Sequence, residues 1–179
     1  MNKNDPALAQ WLAATDGSVA LVFSDIVGST NLLYAARTLD YMSMLRAHKS
    51  RAVALIQAHR GRLIGVTGDE LLTVFARPAE AYAYASDLFV DPGHAQLRVR
   101  VGLHYGRVRA EGEAIVGRNV HLGARVMQHA MDRELWLSDA AKTALEGDAP
   151  ETASRIAWIR SHDCELKGVP GSQRLWRAA

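Results

Sequence analysis

Two β-type runs, Arg62-Leu63-Ile64-Gly65-Val66 and Glu70-Leu71-Leu72-Thr73-Val74-Phe75, are separated only by Thr67-Gly68-Asp69. So short a connection makes the runs pair antiparallel, as a hairpin with a Gly-Asp tip. The flanking segments then fall into order around it. Ser18 to Asp25 is mostly apolar and reads as a central strand. A helical region runs from about Thr30 to Arg60, with Met44, Leu45, Ala52, Leu55 and Ile56 near helical spacing, and Gly61 ends it. Pro78 to about Phe89 is a second helix, with proline near its start. Leu97 to His104 alternates apolar and polar residues, as a half-buried strand does. A turn at Tyr105-Gly106 is expected to bring Arg107-Val108-Arg109 back onto that strand. A helix from Asn119 to His129, a strand near Leu135–Leu137, a helix from Asp139 to Leu145 and strands around 156–159 and 174–176 complete the chain. The order is βαββαβ with a C-terminal helix and strands added. The fold class is α+β, a ferredoxin-like core with an antiparallel-rich sheet and helices largely on one face.

A chain of 179 residues favours one domain, here 17–179, preceded by an amphipathic helix over 1–16 that begins after Pro6. With 49% hydrophobic and 22% charged residues the composition is that of a globular domain. A net charge of +2 is too small to argue for nucleic acid. A single cysteine, Cys164, allows no internal disulfide, and no apolar run is long enough to span a bilayer, so a cytoplasmic protein is expected. His48, His59, His94, His104, His129 and His162 show no metal-ligand spacing. Arg98, Arg100, Arg107 and Arg109 form a basic cluster whose simplest reading is a solvated strand face.

The chemistry concentrates at two aspartates. Asp25 closes the first apolar strand, just before Gly28-Ser29-Thr30, where a helix begins and free backbone N–H groups suit phosphate oxygens. Asp69 sits at the hairpin tip beside glycine. A βαββ unit brings those two ends together. Two carboxylates there can hold divalent cations over a triphosphate.

Phe23-Ser24-Asp25-Ile26-Val27-Gly28-Ser29-Thr30 resembles the first signature of the class III adenylate and guanylate cyclases, and Gly61 to Phe75 resembles the second. Arg98 to Gly106, Gly117 to Arg125 and Leu166 to Gly171 are similar to later segments of that family, in the family's order. The resemblance implies the class III fold and cyclisation of a nucleoside triphosphate to a 3′,5′-cyclic nucleotide with release of pyrophosphate. It implies two divalent cations, Mg²⁺ or Mn²⁺, on Asp25, Asp69 and the Ile26 carbonyl. It implies Arg125 as the arginine on the transition-state phosphates, Lys167 or Arg174 on the triphosphate, and a homodimer with shared sites. No membrane and no nucleic acid partner is implied.

Three positions depart from the family. Gly65 stands where a purine-reading lysine is expected, Ala114 where its partner is expected, and His121 where an asparagine holds the ribose. Neither Gly65 nor Ala114 offers a side-chain hydrogen bond to a base edge. Arg62, Thr67, Glu113 and Arg118 are left as candidates for reading the base. The chain is in this respect similar to the pyrimidine cyclases of bacterial anti-phage defence, with UTP favoured over CTP. A catalytically silent nucleotide- or partner-binding module, and an adenylate cyclase with non-standard base recognition, stand as alternatives. The Gly68-Asp69-Glu70 tripeptide is also similar to the diguanylate cyclase hairpin, but the remaining segments fit class III better.

Overall fold

A computed structural model describes residues 7–35, 38–160 and 163–179, so Pro6 and His162 lie outside the described residues. Its centre is β1 (Ser18–Ile26), buried along both faces because its run Val19–Phe23 is apolar without a break. β3 (Glu70–Phe75) and β4 (Val99–Arg107) flank it, both antiparallel. β2 (Arg62–Thr67) pairs with β3 as the expected hairpin, with Thr67 opposite Glu70. The outer half adds β7 (Leu135–Ser138), parallel to β4, then β11 (Leu175–Ala178) and β8 (Trp158–Arg160). The sheet order is β2-β3-β1-β4-β7-β11-β8, and its first four strands are the ferredoxin-like set. Two small hairpins stand apart: β5 (Arg109–Glu111) with β6 (Ala114–Val116), and β9 (Cys164–Glu165) with β10 (Ser172–Gln173).

Helices cover both sides of the sheet, where one side was expected to dominate. α3 (Thr38–Ala58), α4 (Pro78–Val90) and α6 (Asp139–Asp148) pack Leu55, Tyr84 and Leu145 into one core with Ala20 and Val22 of β1. α1 (Leu8–Ala13) and α5 (Arg118–His129) place Leu8, Leu12 and Met127 with Val19, Leu21 and Phe23 on the other. The reason is β1 itself: a strand apolar on both faces leaves neither open to water. α5 lies very close to the sheet. A Cβ on Gly102 of β4 would come within 2.2 Å of the Met127 backbone, so only glycine lets the helix approach this far.

Two other expectations change. α2 (Ser29–Ala35) and α3 together occupy the span read as one helix; residues 36 and 37 lie outside the described residues. Tyr105-Gly106 is not a turn. β4 runs through it to Arg107, because the long β1 supplies a partner for each residue down to Ser18↔Arg107. Arg109 then pairs with Val116 of β6 and does not return to β4. A short helix α7 (Pro150–Ser154) follows α6. Among the described residues no helix is long and apolar enough to cross a membrane.

Candidate active site

Asp25 and Asp69 reach one place from two strand ends. Asp25 is next to last in β1, and Asp69 forms with Gly68 the two-residue tip between β2 and β3. Gly68 has φ +64° while Asp69 keeps a negative φ, the pattern of a type II′ hairpin turn. The turn sets Asp69 so close to Asp25 that the carboxyls act on each other. Burial holds the Asp25 carboxyl above its ordinary value; a hydrogen bond from Arg100 pulls it down, and the charge of Asp69 pushes it up again. Asp69 Oδ2 is buried and has no hydrogen-bond partner. A carboxylate oxygen left so costs free energy unless a cation meets it. The donor set therefore fits a divalent cation. Among the described residues no three His, Cys, Asp or Glu side chains converge on one point, so further ligands would come from the backbone and the substrate. Ile26 is placed for that: its side chain is buried in the α3–α4 core, and its carbonyl lies at the same strand end as Asp25.

Three residues unmarked by sequence reasoning join the site. Arg100 lies directly across from Asp25 in the β1–β4 register. It donates from Nε at 3.0 Å and from Nη2 at 2.5 Å, both to Asp25 Oδ2. The solvated-face reading of the arginines is thus overturned for Arg100. Arg98 and Arg107 are exposed but pair with Asp132 and Asp16. Glu70, one step beyond the Ser24↔Leu71 pair, lies within electrostatic reach of Asp25, Asp69 and Arg100, and its carboxyl is raised chiefly by burial and then by Asp25. Tyr41 of α3 meets Ser29, and burial together with the charge of Asp69 lifts its phenol. Strand alternation on β3 and β4 could have marked Glu70 and Arg100; the register that seats them beside Asp25 is a tertiary fact.

Gly28, Ser29 and Thr30 border this centre, Ser29 through Tyr41, and the other candidates stand on other elements. Gly28, φ +67°, and Ser29 and Thr30 start α2, which has only seven residues. His121 and Arg125 are one turn apart on α5, and Arg125 donates to Gln128 of its own helix. Among the described residues neither makes a hydrogen bond or ion pair with Asp25 or Asp69. Gly65 sits at an irregularity in β2, and a Cβ there would meet nothing within 4 Å. Ala114 is exposed and pairs with Glu111 across the β5–β6 tip. Lys167 is exposed, and Arg174 lies 3.9 Å from Asp139. Arg62 of β2 lies over the Trp11 ring at 5.5 Å.

α5 is fixed by a buried polar chain. His104 of β4 contacts Ser138 Oγ through Nδ1 at 2.7 Å and Asn119 Oδ1 through Nε2 at 3.1 Å. Asn119 in turn donates to the Arg107 carbonyl, and Ser138 Oγ caps α6 by accepting from Ala141 N–H. Since Asn119 Oδ1 only accepts, Nε2 carries the imidazole proton and the Ser138 hydroxyl donates to Nδ1.

Residues 12–176 match the family described as the adenylate and guanylate cyclase catalytic domain, and the chain belongs to that family. Among curated proteins it is 30% identical to the uncharacterized protein Rv0891c of Mycobacterium tuberculosis over 157 residues, 86% of this chain and 53% of that protein. It is 32% identical to the uncharacterized protein Rv2212 of the same organism over 146 residues, 80% of this chain and 38% of that protein. The chain thus spans about half or less of the length of these relatives. Its fold matches an adenylate cyclase of Trypanosoma brucei, solved in its monomeric state, with TM-score 0.79 at 21% identity over 92% of this chain and 90% of that one. It also matches the guanylate cyclase domain of RhGC from Catenaria anguillulae in complex with GTP, with TM-score 0.78 at 21% identity over 91% and 96%. The adenylyl cyclase CyaB of P. aeruginosa matches with TM-score 0.75 at 15% identity over 90% and 93%.

Proposed function

We propose that this domain converts a nucleoside triphosphate to a 3′,5′-cyclic nucleotide and pyrophosphate at a site shared by two copies of the chain, with a pyrimidine base, UTP before CTP. The observation that carries the reading is the Asp25–Asp69 pair with its orphaned, buried Asp69 oxygen. Asp25, Asp69 and the Ile26 carbonyl hold the divalent cations, Mg²⁺ or Mn²⁺. When bound, these supply positive charge for the polyphosphate and acidify the 3′-hydroxyl. The 3′-oxygen forms a bond to the α-phosphorus and gives its proton to solvent water; the α–β bridging P–O bond breaks, and its electron pair leaves with pyrophosphate. Arg125 of the partner copy neutralises the phosphorane, and His121 donates to the ribose. Ser29, Thr30 and the Gly28 backbone line the phosphates, with Lys167 or Arg174 at their far end.

The base assignment rests on what Gly65 lacks. With no side chain and no atom within 4 Å of its Cβ position, it leaves open the place where a purine-reading side chain would stand. Ala114 offers no partner to such a group. The same two positions favour the second reading, a silent module that binds nucleotide without turnover. A pyrimidine product would fit a signal in anti-phage defence. The test is incubation of the purified chain with Mn²⁺ and each of the four nucleoside triphosphates. Cyclic UMP as the main product is expected. Cyclic AMP as the main product replaces the base assignment, and nucleotide binding with no product establishes the silent module.

A further inference from the structure

Arg100, Asp25 and Glu70 form a row across three neighbouring strands. Asp25 stands opposite Arg100 in the β1–β4 register, and Glu70 lies one step past the last β1–β3 pair. All three belong to the sheet face that carries α5. On that face β1 presents Phe23, two residues from Asp25, β3 presents Leu72 and Val74, two and four residues from Glu70, and β4 presents Gly102 against Met127. The row reads positive, negative, negative, with Asp69 beside its centre.

Both Arg100 donors converge on a single oxygen, Asp25 Oδ2, in a partly buried ion pair whose side chains are 33% and 16% exposed. An oxygen that takes two guanidinium N–H groups has its lone pairs engaged and is not free for a cation. The neighbouring carboxylate, Asp69, has an oxygen with no donor at all. Arg100 thus offsets part of the cost at Asp25, whose carboxyl burial and Asp69 still hold above its ordinary value, while among the described residues Asp69 takes no bond from a cationic side chain.

We propose that Arg100 is a resident counter-ion that competes with the divalent cation for Asp25, and that it swings toward Glu70 when the cation binds. The proposal rests on the metal reading of Asp25 and Asp69 given above. The physical reason is charge. Asp25 and Asp69 lie side by side with Glu70 within electrostatic reach, and one arginine compensates that negative charge in part. Arg100 leaves Asp25 Oδ1 unengaged, but a divalent cation there and a guanidinium on Oδ2 of the same carboxylate repel, so each weakens the other's hold. Glu70 is the acceptor within electrostatic reach of Arg100. The consequence is a threshold: Arg100 weakens binding of free cation, so the site loads most readily when the triphosphate brings extra negative charge.

The test is direct Mn²⁺ binding to the purified chain without nucleotide, followed by the electron paramagnetic resonance signal of free Mn²⁺. Arg100→Gln should bind Mn²⁺ roughly tenfold more tightly than wild type, because a positive charge near the ion is removed. Arg100→Lys should stay near wild type. Glu70→Gln should bind more weakly than wild type, since the displaced arginine loses its second partner and the site loses a charge. A thermal melt with chelator serves as the folding check: Arg100→Gln should melt lower than wild type there, and gain more on adding Mn²⁺. Unchanged or weaker binding by a folded Arg100→Gln protein overturns the proposal and makes Arg100 a residue that only orients Asp25. Absence of Mn²⁺ binding in both wild type and Arg100→Gln overturns the metal reading, and the proposal with it.

Discussion

Asp69 carries a structural cost that a bound cation would offset. Its Oδ2 is buried and unpartnered, and a second carboxylate lies beside it. Asp69→Asn removes one of the two repelling charges. In chelator the variant should therefore be as stable as wild type or about 1 kcal/mol more stable, read from urea unfolding. With Mn²⁺ and nucleotide its turnover should fall at least ~100-fold, because the polyphosphate loses charge compensation in the transition state. A large loss of stability in chelator would instead mean that Asp69 serves the turn. Asp25 and Asp69 were legible in the sequence because each is an acidic residue at the end of a β-type run beside glycine. Arg100 was not. Its alternation in β4 matches a solvated arginine as well as a paired one, and only the register with β1 separates the two.

At the scale of elements the most consequential packing is α5 on β4 and β1, since α5 carries His121 and Arg125. Gly102 sets how close the helix lies. Gly102→Val should cost about 2–4 kcal/mol, because the new side chain meets the Met127 backbone, which cannot yield as a side-chain tip could. Activity should fall with it in the folded fraction, as α5 is pushed off the sheet. His104 fixes the same helix through Asn119. Burial lowers the pKa of His104, and likewise of His48, whose Nδ1 donates to the Pro92 carbonyl. The unfolded chain then binds more protons than the folded one in mild acid. The stability these two residues contribute is present above their unfolded pKa, near 6.5, and is lost as pH falls toward the depressed folded values. Urea midpoints measured from pH 8 down to pH 5 should drop, and His104→Gln should flatten part of that slope. Period-2 and helical patterning made the core hairpin, β1 and α5 legible. The end of β4 was not, because Tyr105-Gly106 looks like a turn until the long β1 is set beside it.

For the whole molecule the question is which copy supplies the arginine proposed to meet the phosphates. In one copy, Arg125 bonds to Gln128 and makes no bond to the aspartates. Leu63 and Val66 of β2 and Val116 of β6 are exposed, at 41%, 43% and 39%. These large apolar side chains near the Gly68-Asp69 hairpin suit a second copy docking there. In the proposed two-fold dimer each site takes Asp25 and Asp69 from one copy and Arg125 from the other. This has a consequence that a self-contained site cannot mimic. Asp69→Asn and Arg125→Ala should each be inactive alone. Mixed in equal amounts under conditions where subunits exchange, half of the dimers are heterodimers. Each heterodimer holds one site with both substitutions and one with neither. Activity per chain should therefore return to about a quarter of wild type. If Arg125 acts within its own copy, every site in the mixture carries one substitution, and the mixture stays as inactive as its parts.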